Sequence, residues 1–182
     1  VANMLCLTGD GVQSGDHPQA KPVFDLDCMS LLEIGRTLRD EHRFQSGRKV
    51  TFAPRVFFGA AANPFGLPFE WRAQRLAKKV AAGAQFIQTQ YCFDIPRLRQ
   101  FMTAVEDLGL IDKVFLLIGV GPLRSAKAAE WMRTHVPGLH IPDAVIQRLA
   151  GAQDPAREGR NLCVELIQEI RAIRGVHGVH VM

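Results

Sequence analysis

No stretch of this sequence approaches the ~18 consecutive apolar residues that a membrane-spanning helix needs. Its first residues also lack the positive, apolar and small-residue succession of a secretory signal. None of the four cysteines, Cys6, Cys28, Cys92 and Cys163, stands in a C-x-x-C pair, so neither a zinc knuckle nor a dithiol redox centre is encoded. No G-x-G-x-x-G follows the first strand-like segment, and no Walker A motif is present, which removes the two commonest nucleotide-binding fingerprints. The basic residues are scattered among acids and are not interleaved with aromatics, the opposite of a nucleic-acid footprint. These absences predict reduced, structural thiols in a cytoplasmic protein with neither a membrane nor a nucleic-acid partner.

What is present is enough for a core. The chain has 182 residues, 47% of them hydrophobic, and residues 1–182 read as one domain. The formal charge of +4 and the pI near 9.1 describe a mildly basic protein whose local cationic excess suits an anionic cofactor or substrate. The sequence begins at Val1 and runs straight into strand-like residues, as a processed or truncated chain would.

Strand and helix patterns alternate throughout. Met4–Leu7, Val56–Ala62, Phe86–Gln90, Val114–Val120 and Val176–Val181 read as strands. Between them, apolar residues recur at helical spacing. Ser30-Leu-Leu-Glu33 has capping-box spacing and opens a helix with the face Leu31, Leu32, Ile34 and Leu38, broken by Gly47. A helix over 70–82 is stopped by Gly83. Asp94 with Pro96 opens the next, with the face Leu98, Phe101, Met102, Val105 and Leu108, closed by Gly109. Helices follow over 125–135 and 143–150, and a longer one starts at Asp154-Pro155 and carries Leu162, Leu166, Ile170 and Ile173. Strands apolar on both faces, alternating with amphipathic helices, predict a parallel sheet covered by helices. Roughly five such units cannot close an eight-stranded barrel, so the fold class is α/β, a partial (β/α)8 TIM barrel.

Two strands finish in polar side chains, one leading to Asp10 and one ending at Gln90. In β/α barrels the C-terminal strand ends carry the chemistry. The histidines do not point to a metal. His177 and His180 are three apart within a strand, which sends them to opposite faces, and His17 has no second histidine nearby. The Gly119–Pro122 turn has the form of a phosphate-binding barrel loop. An aldolase or isomerase would also need a Schiff-base lysine at a strand end, and none is there.

The ordered blocks Leu7-Thr-Gly-Asp10, Gly15-Asp-His-Pro18, Val23-Phe-Asp-Leu-Asp27, Gly59-Ala-Ala-Ala-Asn-Pro-Phe65, Lys79-Val-Ala-Ala-Gly-Ala84, Gln88-Thr-Gln90, Gly138-Leu-His-Ile-Pro142 and Gly175-Val-His-Gly-Val-His180 together resemble the methylenetetrahydrofolate reductase family, in its bacterial, FAD-dependent branch. The resemblance runs along nearly the whole chain. It implies a β/α barrel that binds FAD at its strand ends, of which this chain is similar to strands four to eight. It further implies reduction of 5,10-methylenetetrahydrofolate to 5-methyltetrahydrofolate, with reduced FAD as hydride carrier, in one-carbon metabolism and methionine biosynthesis. The family's ring-opening acid lies near the start of the barrel, and no residue here inherits that role.

Residue by residue, the resemblance assigns Asp10 to the flavin and folate as the catalytic carboxylate. A fixed negative charge ~4 Å from a cationic iminium, at an effective dielectric of about 20, is worth on the order of 4 kcal/mol before desolvation. Without the resemblance, Asp10 reads as a turn residue beside Gly9. Gln90 is the substrate-binding residue, its amide offering donor and acceptor to the mixed edge of a pterin. Thr89 points the other way along the strand and reads as structural. Thr8, Gly9, Asp10, Phe24, Asp25, Asn63 and Lys79 are the implied FAD contacts, Lys79 as a point charge for the diphosphate. Phe24 serves equally well against adenine or in the core. Some relatives carry an Asp for the ribose where Arg72 stands, which leaves Arg72 or Arg75 to reach phosphate. Arg124-Ser125-Ala126 stands where some carry an aromatic for the folate. The electron donor, NAD(P)H or a redox partner protein, and the assembly, a homo-oligomer or a companion subunit, stay open. The alternative to an enzyme is a non-catalytic flavin- or folate-binding module, or a subunit that completes its barrel with another chain.

Overall fold

The computed structural model describes residues 2–182; Val1, on which the reading of an abrupt start rests, lies outside them. Five strands, β1 (Asn3–Cys6), β2 (Phe57–Ala62), β3 (Phe86–Tyr91), β4 (Phe115–Val120) and β5 (Gly178–Val181), form one sheet in chain order. Every neighbouring pair is parallel. The crossovers are α1 (Cys28–Asp40), α2 (Arg72–Ala82) and α3 (Ile95–Asp107), then α4 (Ala126–His135), α5 (Asp143–Ala150) and α6 (Pro155–Arg171) between β4 and β5. This is the parallel α/β sheet that the alternating pattern predicts. Among the described residues, β1 and β5 each pair on one side only, so the sheet does not close on itself.

Strand alternation divides the sheet into two unlike faces. Phe58, Ala60, Ile87, Thr89, Leu116, Ile118 and Val120 are buried beneath the helices. The helices answer with Leu32 from α1, Leu76 from α2, Leu98 from α3 and Ile170 from α6, all essentially inaccessible. Each such side chain contributes about 1.5–3 kcal/mol on burial. The other face is more open. Phe57 stacks on Phe86 with ring centroids 5.5 Å apart and lies 5.9 Å from Phe115, yet Phe115 remains 51% exposed.

Helix starts follow the cap chemistry with one correction. Asp94 caps α3 by accepting the N–H of Arg97, Asp154 caps α6 through Arg157, and Ser125 caps α4 through Ala128. The first helix does not begin on a Ser30 capping box. Its N-cap is Asp27, and Ser30 donates both its N–H and its hydroxyl to Asp27 Oδ1, each at 2.8 Å. A carboxylate one turn upstream outcompetes the serine for the free amides. Nor does Gly47 end that helix, which stops at Asp40. Gly47 instead closes a small turn that pairs Arg43 with Lys49. Leu108, expected on the buried face of α3, is 43% exposed at its C-terminal cap, while Leu98, Phe101, Met102 and Val105 are buried as expected.

The sheet carries one irregularity. The β3–β4 register shifts between Gln88 and Tyr91, so that Gln88 faces Leu117 while Tyr91 faces Gly119. One extra residue is left on β3, a bulge of the kind that re-aims a side chain at a sheet's functional edge.

Candidate functional site

Parallel strands bring all their C-terminal ends to one edge, and a cavity of about 460 Å³ opens there. Leu5 of β1 and Leu7 just after it wall the cavity, with Ala61 of β2 and the following Asn63, Gln88 and Gln90 of β3, and His180 of β5 and the following Met182. Helix α2 adds Arg72, Arg75, Leu76 and Lys79 on its outer rim. A second cavity of about 220 Å³ lies beside it, between Thr8, Asp27, Cys28 and the cations Arg75, Lys78 and Lys79. Arg75 and Lys79 border both cavities.

Gln90 enters the larger cavity with its amide half committed. Its Oε1 accepts the N–H of Tyr91 at 3.0 Å. Because that partner is a donor, the atom must be the oxygen, and the NH2 group is the part left for a ligand. The NH2 group has no partner among the described residues, while the oxygen keeps one lone pair beyond the Tyr91 bond. Thr89 lies on the opposite face, 3% exposed, and stitches the bulge. Its hydroxyl donates to Gln90 O at 2.9 Å and accepts the N–H of Gly119 at 3.0 Å.

Lys79 reaches over the sheet edge and donates to Ala61 O at 2.5 Å, leaving two of its three donors. It also draws down the pKa of the neighbouring Cys28, although burial dominates and the thiol stands above its ordinary value. Arg72 is occupied by the carbonyls of Gly66, at 2.7 Å, and Leu67. Arg75 makes no ion pair among the described residues, so it is the arginine available to an anion. Neither cavity wall of α2 carries a carboxylate, and the larger cavity has none at all among its described lining residues.

The other expected contacts divide. Thr8 borders the smaller cavity, and its hydroxyl accepts the N–H of Cys28 at 3.0 Å, which ties the tail of β1 to α1. Asn63 borders the larger one, but its amide is used internally: Nδ2 donates to Gly138 O at 2.9 Å and Oδ1 accepts from Phe65 N at 3.0 Å. Gly9, Asp10 and Asp25 lie in the exposed segment between β1 and α1, and Phe24 there is 58% exposed. None of these four lines either cavity. Asp10 follows the cavity-lining Leu7 by three residues. Two residues without an assigned role also line the larger cavity, Gln88 and His180. The period-two pattern that places Gln90 there carries Gln88 with it. His180 is legible in the sequence only as half of a failed metal pair.

His177 and His180 indeed serve different partners. Nδ1 of His177 accepts the N–H of Leu116 at 3.2 Å, whereas Nε2 of His180 lies 2.8 Å from Thr89 O. Among the described residues no helix is long and apolar enough to cross a membrane.

A parallel five-stranded α/β sheet with amides and cations gathered at its C-terminal edge is consistent with a partial TIM-like barrel. The sequence model of the methylenetetrahydrofolate reductase family matches residues 1–182, and the chain belongs to that family. Its fold is similar to that of an uncharacterized protein from Clostridium thermocellum that binds two copies of 5-methyl-5,6,7,8-tetrahydrofolic acid, with a TM-score of 0.55. The two are 17% identical, and the match covers 72% of this chain and 48% of that one, so this chain spans about half of that protein's length. No curated protein matches the chain.

Proposed function

We propose that this protein acts in flavin-dependent reduction of 5,10-methylenetetrahydrofolate to 5-methyltetrahydrofolate, with residues 1–182 as one domain of a partial barrel similar to strands four to eight. The observation that carries this reading is the unpaired NH2 group of Gln90 on the larger cavity beside Arg75 and Lys79, which continue into the smaller one. Family membership and the folate-binding neighbour support it.

The residues present fit FAD. Two adjoining cavities with a shared cationic wall suit a long ligand that carries phosphates at its middle, and Lys79 and Arg75 are the groups that would neutralise them. Thr8 and Gly9 flank the same end of β1. When bound, FAD supplies the hydride. Gln90 donates to the pterin and fixes its orientation, a contribution that lowers the barrier by holding the reacting centre in place. Leu5, Leu7, Leu76 and Met182 give the cavity an apolar wall, and a bound ligand that covers it lowers the local dielectric and strengthens each remaining electrostatic contact. Asp10 supplies a negative charge near the cationic folate intermediate. Phe24 and Asp25 belong to the adenine side. The ring-opening acid comes from outside residues 1–182, and a reduced nicotinamide or a redox partner delivers the electrons in the cytoplasm.

One observation favours a second reading of the assembly. The uncovered Phe115 and the one-sided β1 and β5 suit a companion subunit or second copy that completes the barrel, and co-purification of another chain is the sign that separates it. For the reaction itself, the intact polypeptide is loaded with oxidised FAD and mixed anaerobically with 5-methyltetrahydrofolate. Bleaching of the flavin band is the expected result. A bound flavin whose spectrum stays unchanged overturns the reductase reading and leaves a binding module.

A further inference from the structure

His180 reaches across a strand. It is on β5, its hydrogen-bonded neighbour is β4, and its register partner there is Gly119. Its Nε2 nevertheless lies 2.8 Å from Thr89 O on β3. Gly119 makes this geometry feasible. A Cβ at that position would fall 2.5 Å from Thr89 O and 2.9 Å from Gln90 O, so only a residue without a side chain leaves the path open.

The bond also selects the Nε2–H tautomer of the ring. A backbone carbonyl only accepts, so Nε2 carries the proton. In the Nε2–H tautomer Nδ1 holds a lone pair and acts as an acceptor, on a side chain that lines the larger cavity. Gln90 is committed in the complementary sense. Its oxygen is tied to Tyr91 N–H and its NH2 remains. The two side chains are anchored to the same bulge, one through Thr89 O and the other through Tyr91 N. The cavity then presents a donor from Gln90 and, in this tautomer, an acceptor from His180.

We propose that His180 is a second recognition residue of this site, its Nδ1 accepting an N–H of a bound pteridine while the Gln90 amide donates to a neighbouring ring acceptor. This role rests on the folate reading of the cavity. A pteridine edge alternates ring N–H or amino donors with carbonyl or imine acceptors, and a donor–acceptor pair selects it over an isosteric ring with the opposite order. A site built to hydrogen-bond such groups rejects ligands that lack them, because its polar groups, once the ligand covers them, are then left unpaired.

Two substitutions separate recognition from support of the bulge. His180→Gln keeps a donor near the Nε2 position and has nothing at Nδ1. His180→Asn keeps an acceptor near Nδ1 and gives up the reach to Thr89 O. The intact polypeptide and both variants, matched by thermal unfolding, are titrated calorimetrically with 5-methyltetrahydrofolate in the presence of FAD. The expected result is a roughly tenfold weaker Kd for His180→Gln, the loss of one hydrogen bond, and a smaller change for His180→Asn. The reverse order, or equal affinity in all three proteins, overturns the recognition role and leaves His180 as a support of the bulge. Absence of binding by the unsubstituted protein overturns the folate reading itself, and the proposal with it.

Discussion

The Thr89 hydroxyl accepts the N–H of Gly119 at 3.0 Å across the β3–β4 bulge, where a regular parallel ladder would supply a backbone carbonyl. The side chain replaces a main-chain acceptor, and the bulge that needs this replacement sets the direction of Gln90. Thr89 is 3% exposed, so the amide it satisfies has no water to turn to. Thr89→Val preserves shape and removes the acceptor. An unsatisfied buried donor costs about 1–3 kcal/mol, which for a chain of this size lowers Tm by about 2–4 °C per kcal/mol. Gly119→Ala places its Cβ 2.5 Å from Thr89 O, and overpacking of this kind also costs about 1–3 kcal/mol. Both variants are expected to melt earlier and to bind 5-methyltetrahydrofolate more weakly. Thermal unfolding with calorimetry checks both, and unchanged affinity in a destabilised Gly119→Ala protein removes the link between the bulge and Gln90.

Lys79 borders both cavities and has two donors left after its bond to Ala61 O. Lys79→Met keeps the aliphatic length and deletes the charge. If it meets the FAD diphosphate, the lost charge-assisted bond is worth about 1.5–3 kcal/mol, which weakens FAD about 10- to 100-fold. The salt dependence of FAD binding should also flatten, since screening acts on the charge that is gone. Flavin fluorescence titration at two ionic strengths reads both effects. An FAD affinity that moves less than about twofold places Lys79 in the structural role that its Ala61 bond already gives it.

The strands and most helix starts are legible in the sequence because their signals are local. Apolar runs of strand length, Asp94-Ile-Pro96 and Asp154-Pro155 are decided within a few residues, and the structure keeps them. The start of the first helix differs because two acceptors, Asp27 and Ser30, compete within one turn, and only the fold shows which oxygen reaches the free amides. At the site, the strand period places the Gln90 side chain in the cavity and turns the Thr89 hydroxyl to the bulge. It does not show that Oε1 is already taken, that Asn63 is bound to Gly138 from 75 positions away, or that His180 crosses β4 to reach Thr89. Those facts depend on register and on one glycine, and neither is written in spacing. The roles of Asp10, Phe24 and Asp25 rest on resemblance alone, and none of the three lines either cavity.

The Asp27 cap predicts an acid-sensitive helix. Its carboxyl is held below the ordinary aspartate value, first by the backbone N–H of Ser30 and then by the Ser30 hydroxyl. A depressed folded value means that this contribution is complete above the unfolded pKa, near 3.9, and is lost as pH falls through the folded one. Asp27→Asn keeps a good capping side chain and does not titrate. Its Tm should match that of the unsubstituted protein near neutrality and fall less steeply below about pH 4. Melts taken from about pH 3 to 7 test this, and parallel acid limbs would show that the Asp27 carboxylate does not contribute to the pH dependence.

Cys92 predicts the opposite limb. Its side chain is fully buried, and desolvation pushes the thiol up to about 12, with the nearby Asp94 and Glu169 charges acting in the same direction. A raised folded value means that the stabilisation is complete below the ordinary thiol pKa of about 8.5. It drains as pH rises from there toward the folded value, because the unfolded chain ionises first. Cys6, Cys28 and Cys163 are likewise buried and raised by desolvation. The native protein at about pH 8 should therefore react slowly with a thiol-directed disulfide reagent and release all four thiols once denatured, since the thiolate is the reactive form. Cys92→Ala should lower Tm at neutral pH by opening a small cavity, yet show a shallower loss of Tm between about pH 8.5 and 10.5. A fast-reacting native thiol that disappears in Cys92→Ala would contradict this expectation, because a side chain without access to water can neither ionise nor meet the reagent.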